Sequence, residues 1–168
     1  MELVKNFTQS KLVKNLFIAL IGSILLAISS KIKIPFYPVP MTMQTLVVLA
    51  IGIGFGWKLG VATITLYLLE GIIGLPVFSG TPEKGIGLVY FTGPTMGYLI
   101  GFVVAAFFAG FLKFDNWTQK SDKSLEAFLI NFIKLLISVA AIYFFGILWL
   151  SKFVGWDKVL LFGLKPFW

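Results

Sequence analysis

The residues best suited to noncovalent recognition lie in the segment YPVPMTMQTL, residues 37–46, between two long apolar runs. Thr42, Gln44 and Thr45 can offer hydrogen bonds, and Phe36 and Tyr37 offer apolar area. Three prolines between residues 35 and 40 stiffen the loop, because proline fixes φ and cannot donate a backbone hydrogen bond. A stiff loop loses less entropy when it closes on a ligand.

The sequence offers little for catalysis or for metal binding. It has no histidine, which is the commonest general base, and no cysteine, so thiolate metal sites and disulfides are excluded. No G-x-x-x-x-G-K-[ST] motif occurs, so the chain cannot hydrolyse ATP by P-loop chemistry. We expect no enzyme, no cofactor and no metal site. Uphill movement of a ligand would need energy from a gradient or from a partner.

The composition is that of a protein embedded in lipid. Hydrophobic residues make up 58% of the 168 residues, charged residues only 12%, and the mean hydropathy is +0.96. A soluble domain needs about a quarter of its residues charged to cover its surface. The net charge of +7 comes from lysines at the ends of apolar runs, which is typical of flanks of membrane helices. We therefore expect one integral membrane domain over residues 1–168, in contact with the lipid bilayer and not with nucleic acid.

The apolar runs predict an all-α protein with five full spans, since a spanning helix needs about 20 apolar residues. The runs are 12–30, 45–77, 94–114 and 125–150. The second run holds two rather short spans, because GIGFGWK at 52–58 predicts a tight turn at a membrane face. The run 159–167 is too short to span.

Lysine placement predicts the orientation of the helices. With the N-terminus in the cytoplasm, seven lysines lie inside and five outside, which favours this arrangement in a multi-pass protein of the cell membrane. The polar linker at 113–123 then lies in the cytoplasm. The inside set is Lys5, Lys11, Lys14, Lys58, Lys113, Lys120 and Lys123, and the outside set is Lys31, Lys33, Lys84, Lys152 and Lys158.

Three irregular segments, 35–44, 74–98 and the tail from Ser151, are predicted to lie on the same, outer side. All three are rich in glycine, proline and aromatic residues. Irregular backbone at membrane depth is tolerated where it lines a cavity or packs on protein. Together the segments predict a lidded pocket with apolar walls and a few orienting polar groups. Plain extracellular loops are the alternative.

Small and charged residues inside the apolar runs have two interpretations each. Ala19, Ser23 and Ala27 recur at i, i+4 and i+8 on the first helix, a stripe that allows close helix approach. The stripe packs either against helices of the same chain or against a partner membrane protein. Glu70 and Lys134 lie in apolar runs and are functional candidates, although each can also reach water near an interface.

The motifs PVPMTMQTL, GIIGLPVFSG and GPTMGYLIGF, in this order and spacing, resemble the BioY family. These proteins are the biotin-specific substrate-binding (S) components of energy-coupling-factor (ECF) vitamin transporters. The resemblance covers nearly the whole chain. It implies an S-component bundle of six helices, with biotin bound near the outer face under the first loop. It also implies partners, namely a transmembrane coupling protein and two ABC ATPases, and makes the stripe on the first helix the expected docking face.

The resemblance also implies the ligand-binding residues. GLPVFSG would lie against the head group of biotin, with Phe78 stacking on it and Ser79 meeting the ureido edge by its side chain or its backbone. The alternative for Phe78 is that it only anchors the loop in the bundle. The expected set is Phe36, Tyr37, Val39, Pro40, Thr42, Gln44, Glu70, Pro76, Phe78, Ser79, Gly80, Gly93, Pro94, Thr95 and Tyr98.

One departure concerns the last helix. In the family this helix begins with Pro-Phe, followed by an Asp and a Lys that help to hold the ligand. Here Pro166 and Phe167 are present, and Trp168 follows as the last residue, so we expect the sixth helix to be absent from this sequence. The alternatives to a biotin S component are an S component for another vitamin and a membrane assembly protein without a ligand.

Overall fold

Six helices and one short β-ladder make up the described part of the chain. The computed structural model of the protein describes residues 2–35, 38–112 and 124–163, with backbone alone for 2–10 and 124. The helices are α1 Glu2–Lys31, α2 Gln44–Ile72, α3 Leu88–Phe91, α4 Met96–Phe111, α5 Ser124–Val154 and α6 Trp156–Gly163. The strands are β1 Lys33–Ile34 and β2 Met41–Thr42, which pair antiparallel. The predicted helical bundle is confirmed, and the ladder was not predicted.

The helix α2 is a hairpin of two antiparallel arms, 44–55 and 57–72. The chain reverses at Gly56, whose φ of 74° and ψ of 167° suit a residue without a Cβ. The Nε2 atom of Gln44 lies 2.7 Å from Oη of Tyr67. In a straight helix these residues would be about 35 Å apart. The predicted turn at 52–58 is therefore confirmed.

Three helices are long and apolar enough to cross a membrane by length and composition. They are Lys11–Lys31 within α1, Gln44–Ile72 and Leu125–Val154 within α5. Because α2 reverses, its arms would rise only about 18 and 24 Å, and α4, with 16 residues, about 24 Å. These lengths fall short of the hydrocarbon thickness of about 30 Å. The prediction of five full spans is thus corrected to two long helices and three short apolar segments.

The two arms of α2 and the helix α4 form the centre of the bundle. Ala105, Ala106 and Ala109 of α4 are buried, and their small side chains let α4 approach its neighbours closely. The outer helices α1 and α5 expose large apolar side chains, among them Phe17 and Ile24 on α1 and Ile133 on α5. Such a surface is suited to lipid and agrees with a multi-pass membrane protein.

The first two segments that were predicted to be irregular meet the end of α5 at one end of the bundle. The prediction for the third segment, the tail from Ser151, is wrong in its described part, because α5 continues to Val154 and α6 spans Trp156–Gly163. The hydroxyl of Ser30, at the end of α1, lies 2.7 Å from the carbonyl of Val77 in the loop after α2. The indole Nε1 of Trp149, near the end of α5, donates to the carbonyl of Gly93 at 2.9 Å. These long-range hydrogen bonds hold the loops in place around the site described next.

Candidate ligand-binding site

A cavity lies among the first loop, the loop after α2, and the helices α4 and α5. The space between its lining atoms is about 500 Å³, with the solvent at its mouth included. We call it the inner cavity. Most of its wall is apolar, with a few polar groups, as in sites for small organic ligands. Its lining residues are Val39, Pro40, Thr42, Gln44, Thr45, Ser79, Tyr90, Thr95, Tyr98, Leu99, Phe102, Ile142 and Tyr143.

The β-ladder positions the first loop over this cavity. Lys33 pairs with Thr42 and Ile34 with Met41, so the proline-rich segment becomes the tip of a hairpin between α1 and α2. The helix α2 begins at Gln44, only two residues after the ladder ends. The ladder on one side and the helix on the other therefore restrict where Thr42 and Gln44 can place their side chains.

The Gln44 amide is held in one orientation by a buried hydrogen-bond network. Its Nε2 donates to Oη of Tyr67 at 2.7 Å, and its Oε1 accepts from Oγ1 of Thr42 at 3.3 Å. The Tyr67 hydroxyl in turn donates to the carbonyl of Val77 at 3.0 Å. Because an amide nitrogen carries two hydrogens, Gln44 retains one N–H for a molecule in the cavity.

Ser79 brings an unpartnered hydroxyl to the cavity wall. The residue is only 4% exposed, and among the buried side-chain nitrogens and oxygens that the structure describes, its Oγ alone lacks a hydrogen-bond partner. Leaving a buried polar group unsatisfied costs about 1–3 kcal/mol. The backbone beside it is fixed, because Oη of Tyr90 donates to the Ser79 carbonyl at 2.9 Å. A ligand with a hydrogen-bonding edge would remove this cost.

Phe78 anchors the loop after α2 and does not line the cavity. Its ring is 1% exposed, packs edge-on against Tyr67 at 5.2 Å and stacks on Tyr90 at 4.7 Å. The ammonium of Lys31 donates to the Phe78 carbonyl at 2.9 Å. The structure therefore gives the Phe78 ring a packing role inside the protein, and its stacking on the ligand stays a prediction. Tyr90 is the aromatic residue between α2 and α4 that reaches the cavity wall.

A second, wider cavity adjoins the first at the same end of the bundle. The space between its lining atoms is about 950 Å³, open solvent included. We call it the outer cavity, because loop residues and the end of α5 form its wall. Its lining residues are Pro38, Lys84, Tyr90, Gly93, Pro94, Thr95, Phe153 and Val154. Tyr90 and Thr95 line both cavities, so the two spaces adjoin at these residues.

The structure brings together most of the residues expected from the resemblance. The inner cavity collects Val39, Pro40, Thr42, Gln44, Ser79, Thr95 and Tyr98, and the outer cavity adds Gly93 and Pro94. Four expected residues line neither cavity, namely Glu70, Pro76, Phe78 and Gly80. Glu70 instead lies at the α1–α2 contact, where its Oε1 is 2.8 Å from Oγ of Ser23, and its place in the ligand set stays a prediction. Phe36 and Tyr37 lie outside the described residues.

The small-residue stripe of α1 packs inside the chain. Ala19 and Ser23 are 5% and 0% exposed, and Ala27 is half-buried against the core. Ser23 contacts Glu70 of the second arm of α2, as described above. The structure thus gives the stripe an intramolecular packing role, which is one of the two interpretations of its spacing. Its role in docking a partner stays a prediction.

Sequence reasoning missed several residues of the two cavities. They are Lys84, Tyr90, Leu99, Phe102, Ile142, Tyr143, Phe153 and Val154. Leu99 and Phe102 could have been inferred from helical spacing after Thr95, since residues three or four apart share a face. No signal in the sequence distinguishes Ile142 or Tyr143 from other apolar residues of α5. No cluster of three metal-ligating side chains occurs within the described residues.

Comparisons with known proteins agree with this architecture. The model of the BioY family matches residues 3–168. A probable biotin transporter BioY of Pyrococcus horikoshii is 33% identical over 143 residues, which cover 85% of this chain and 78% of the relative. Biotin transporter BioY2 of Lactococcus lactis is 36% identical over 149 residues, covering 88% and 76%. The crystal structure at 2.1 Å of the S-component for biotin from an ECF-type ABC transporter superimposes with a TM-score of 0.68 at 26% identity, covering 94% of this chain and 84% of that one.

Proposed function

The chain belongs to the BioY family, and we propose that it binds biotin as the S component of an ECF transporter and serves in biotin uptake. The family consists of transporter components, not enzymes. The observation that carries the proposal is the unpartnered Ser79 hydroxyl in the wall of the inner cavity. A buried hydroxyl without a partner is costly in the empty protein and is satisfied when a polar ligand occupies the cavity.

The inner cavity matches the chemistry of the biotin head group. Biotin has a fused ureido–thiophane ring, whose ureido edge offers two N–H donors around a carbonyl acceptor, and an apolar chain ending in a carboxylate. Ser79 can accept from a ureido N–H, and the remaining N–H of Gln44 can donate to the carbonyl. Apolar residues, among them Leu99 and Phe102, surround the ring. Such a head group requires satisfied hydrogen bonds within an apolar pocket.

Equilibrium binding of tritiated biotin to the detergent-purified protein tests this function. We expect saturable binding that unlabelled biotin competes for and that thiamine and riboflavin leave unchanged. Competition by another vitamin and not by biotin would instead support an S component of different specificity. Absence of saturable binding of any of these vitamins would favour a membrane protein without a transport ligand.

The energy for uptake would come from partner proteins. We propose a transmembrane coupling protein and ABC ATPases as partners, because membership of the BioY family implies such a module and the sequence itself holds no P-loop motif. We keep α1 as the proposed docking helix. Because Ser23 is buried against α2, Ser23→Leu is expected to lower the melting temperature as well as partner binding. Loss of co-purification with the coupling protein at an unchanged melting temperature would show that the stripe itself docks.

We propose that the protein lies in the cell membrane with its N-terminus in the cytoplasm. The loop after α2 and the ladder would then face outward, and the α2 turn inward. The chain has no cysteine, so single introduced cysteines report on each side. A membrane-impermeant maleimide applied to intact cells should label Ile86→Cys and spare Lys58→Cys. Labelling of Lys58→Cys alone would reverse the orientation.

A further inference from the structure

One charged residue lines the two cavities. The wall of the inner cavity has no acidic or basic side chain among its described residues, and Lys84 is the single one in the wall of the outer cavity. A ligand whose polar head lies in the inner cavity and whose tail passes Tyr90 and Thr95 therefore meets a positive charge as it leaves the apolar region. An anionic group on the ligand tail would pair with the Lys84 ammonium there.

The position of Lys84 is fixed by the loop that carries it. Its backbone N–H donates to the carbonyl of Gly80 at 2.8 Å, and its aliphatic stem lies over Gly80, where a Cβ would approach Cδ of the lysine to 2.9 Å. A side chain whose stem is packed in this way loses less freedom when its ammonium binds an anion.

The surroundings of Lys84 favour an incoming anion. Partial burial, together with the positive charge of Lys33, lowers the pKa of the Lys84 ammonium below its usual value. Within the described part of the chain no carboxylate comes close enough to Lys84 to form a salt bridge. The ammonium thus faces a like charge without a counter-charge beside it, and an opposite charge within about 4–6 Å would favour its protonated form.

We propose that Lys84 binds the carboxylate of the ligand at the outer cavity and so selects for the free acid over neutral derivatives. This inference rests on the proposed binding of biotin, whose carboxylate lies at the end of the apolar chain. The head group is then recognised by neutral hydrogen-bonding groups in the inner cavity and the tail by charge in the outer one. Lys84 is a ligand-contacting residue that the sequence alone did not single out.

Biotin and biotinamide, which replaces the carboxylate by a neutral amide, distinguish a charge contact from a structural role. Binding of both ligands is measured for the unmodified protein and for Lys84→Gln, Lys84→Arg and Lys33→Gln. Lys33 is a matched control because it adds to the same positive field and lines neither cavity. The free energy of a charge contact near solvent lies between that of an exposed ion pair and that of a buried hydrogen bond to a charged group. We therefore expect Lys84→Gln to weaken biotin binding about tenfold.

In Lys84→Gln we expect a tenfold loss of affinity for biotin and little change for biotinamide. Lys84→Arg and Lys33→Gln should both retain the preference for the free acid. An equal loss for both ligands in Lys84→Gln would give Lys84 a structural role only and overturn the inference. Unchanged binding of both ligands would overturn it as well. If the unmodified protein binds neither ligand, the proposed biotin function itself fails, and this inference fails with it.

Discussion

Replacing Ser79 with alanine should move ligand affinity and ligand-free stability in opposite directions. In the ligand-free protein the buried hydroxyl has no partner, so its removal relieves an unfavourable contribution to folding. In the complex the same hydroxyl would bind the ligand, and alanine forfeits that hydrogen bond. We expect binding weaker by about 1–2 kcal/mol, which corresponds to about a 5- to 30-fold higher Kd. The melting temperature without ligand should rise.

Both quantities are measured on one detergent preparation, by equilibrium binding of tritiated biotin and by thermal unfolding without ligand. Ser29→Ala is the matched control. Ser29 is also 4% exposed, but its hydroxyl donates to the carbonyl of Leu26 at 2.8 Å, and it lines neither cavity. This control should leave affinity unchanged without raising the melting temperature. A Ser79→Ala variant with unchanged affinity and lower stability would refute the reasoning, because the hydroxyl would then be a structural group.

Three further substitutions test the architecture. Phe78→Ala should lower the free energy of unfolding by about 3–5 kcal/mol, the usual cost of emptying a buried aromatic site, and an unchanged ligand-free melting temperature would contradict the anchoring role. Tyr67→Phe should weaken biotin binding by about 1 kcal/mol by releasing the Gln44 amide, and this loss should vanish in a Gln44→Ala background in a double-mutant cycle. Gly110→Leu should reduce the folded yield, because a Cβ there would overlap the backbone of the α2 turn. Gly54→Ala should be tolerated, because the space around its Cβ position is open. Equal yields of the two variants would contradict the close packing of α4 on that turn.

The sequence by itself determined the properties that depend on composition and local backbone preference. Few charges and long apolar runs indicated a membrane protein. The glycines at 52–56 predicted a turn, and the structure has it at Gly56, whose φ of 74° suits a residue without a Cβ. The number of apolar runs between residues 35–44 and 74–98 predicted that these two segments lie at the same end of the bundle. The hydrogen-bonding character of the first loop was equally legible, since Thr42 and Gln44 adjoin a helix start.

The tertiary structure decided which side chains of those segments face the ligand site. Phe78 and Tyr90 are both aromatic residues of one glycine-rich loop, yet the first is enclosed by the core and the second lines both cavities. Lys84 acquires its position from the packing of its stem on Gly80, and Ile142 reaches the site only because α5 packs on α4. The physical reason is that these orientations depend on contacts between segments distant in sequence. Residue types and spacing restrict such contacts, but only the assembled bundle selects one arrangement.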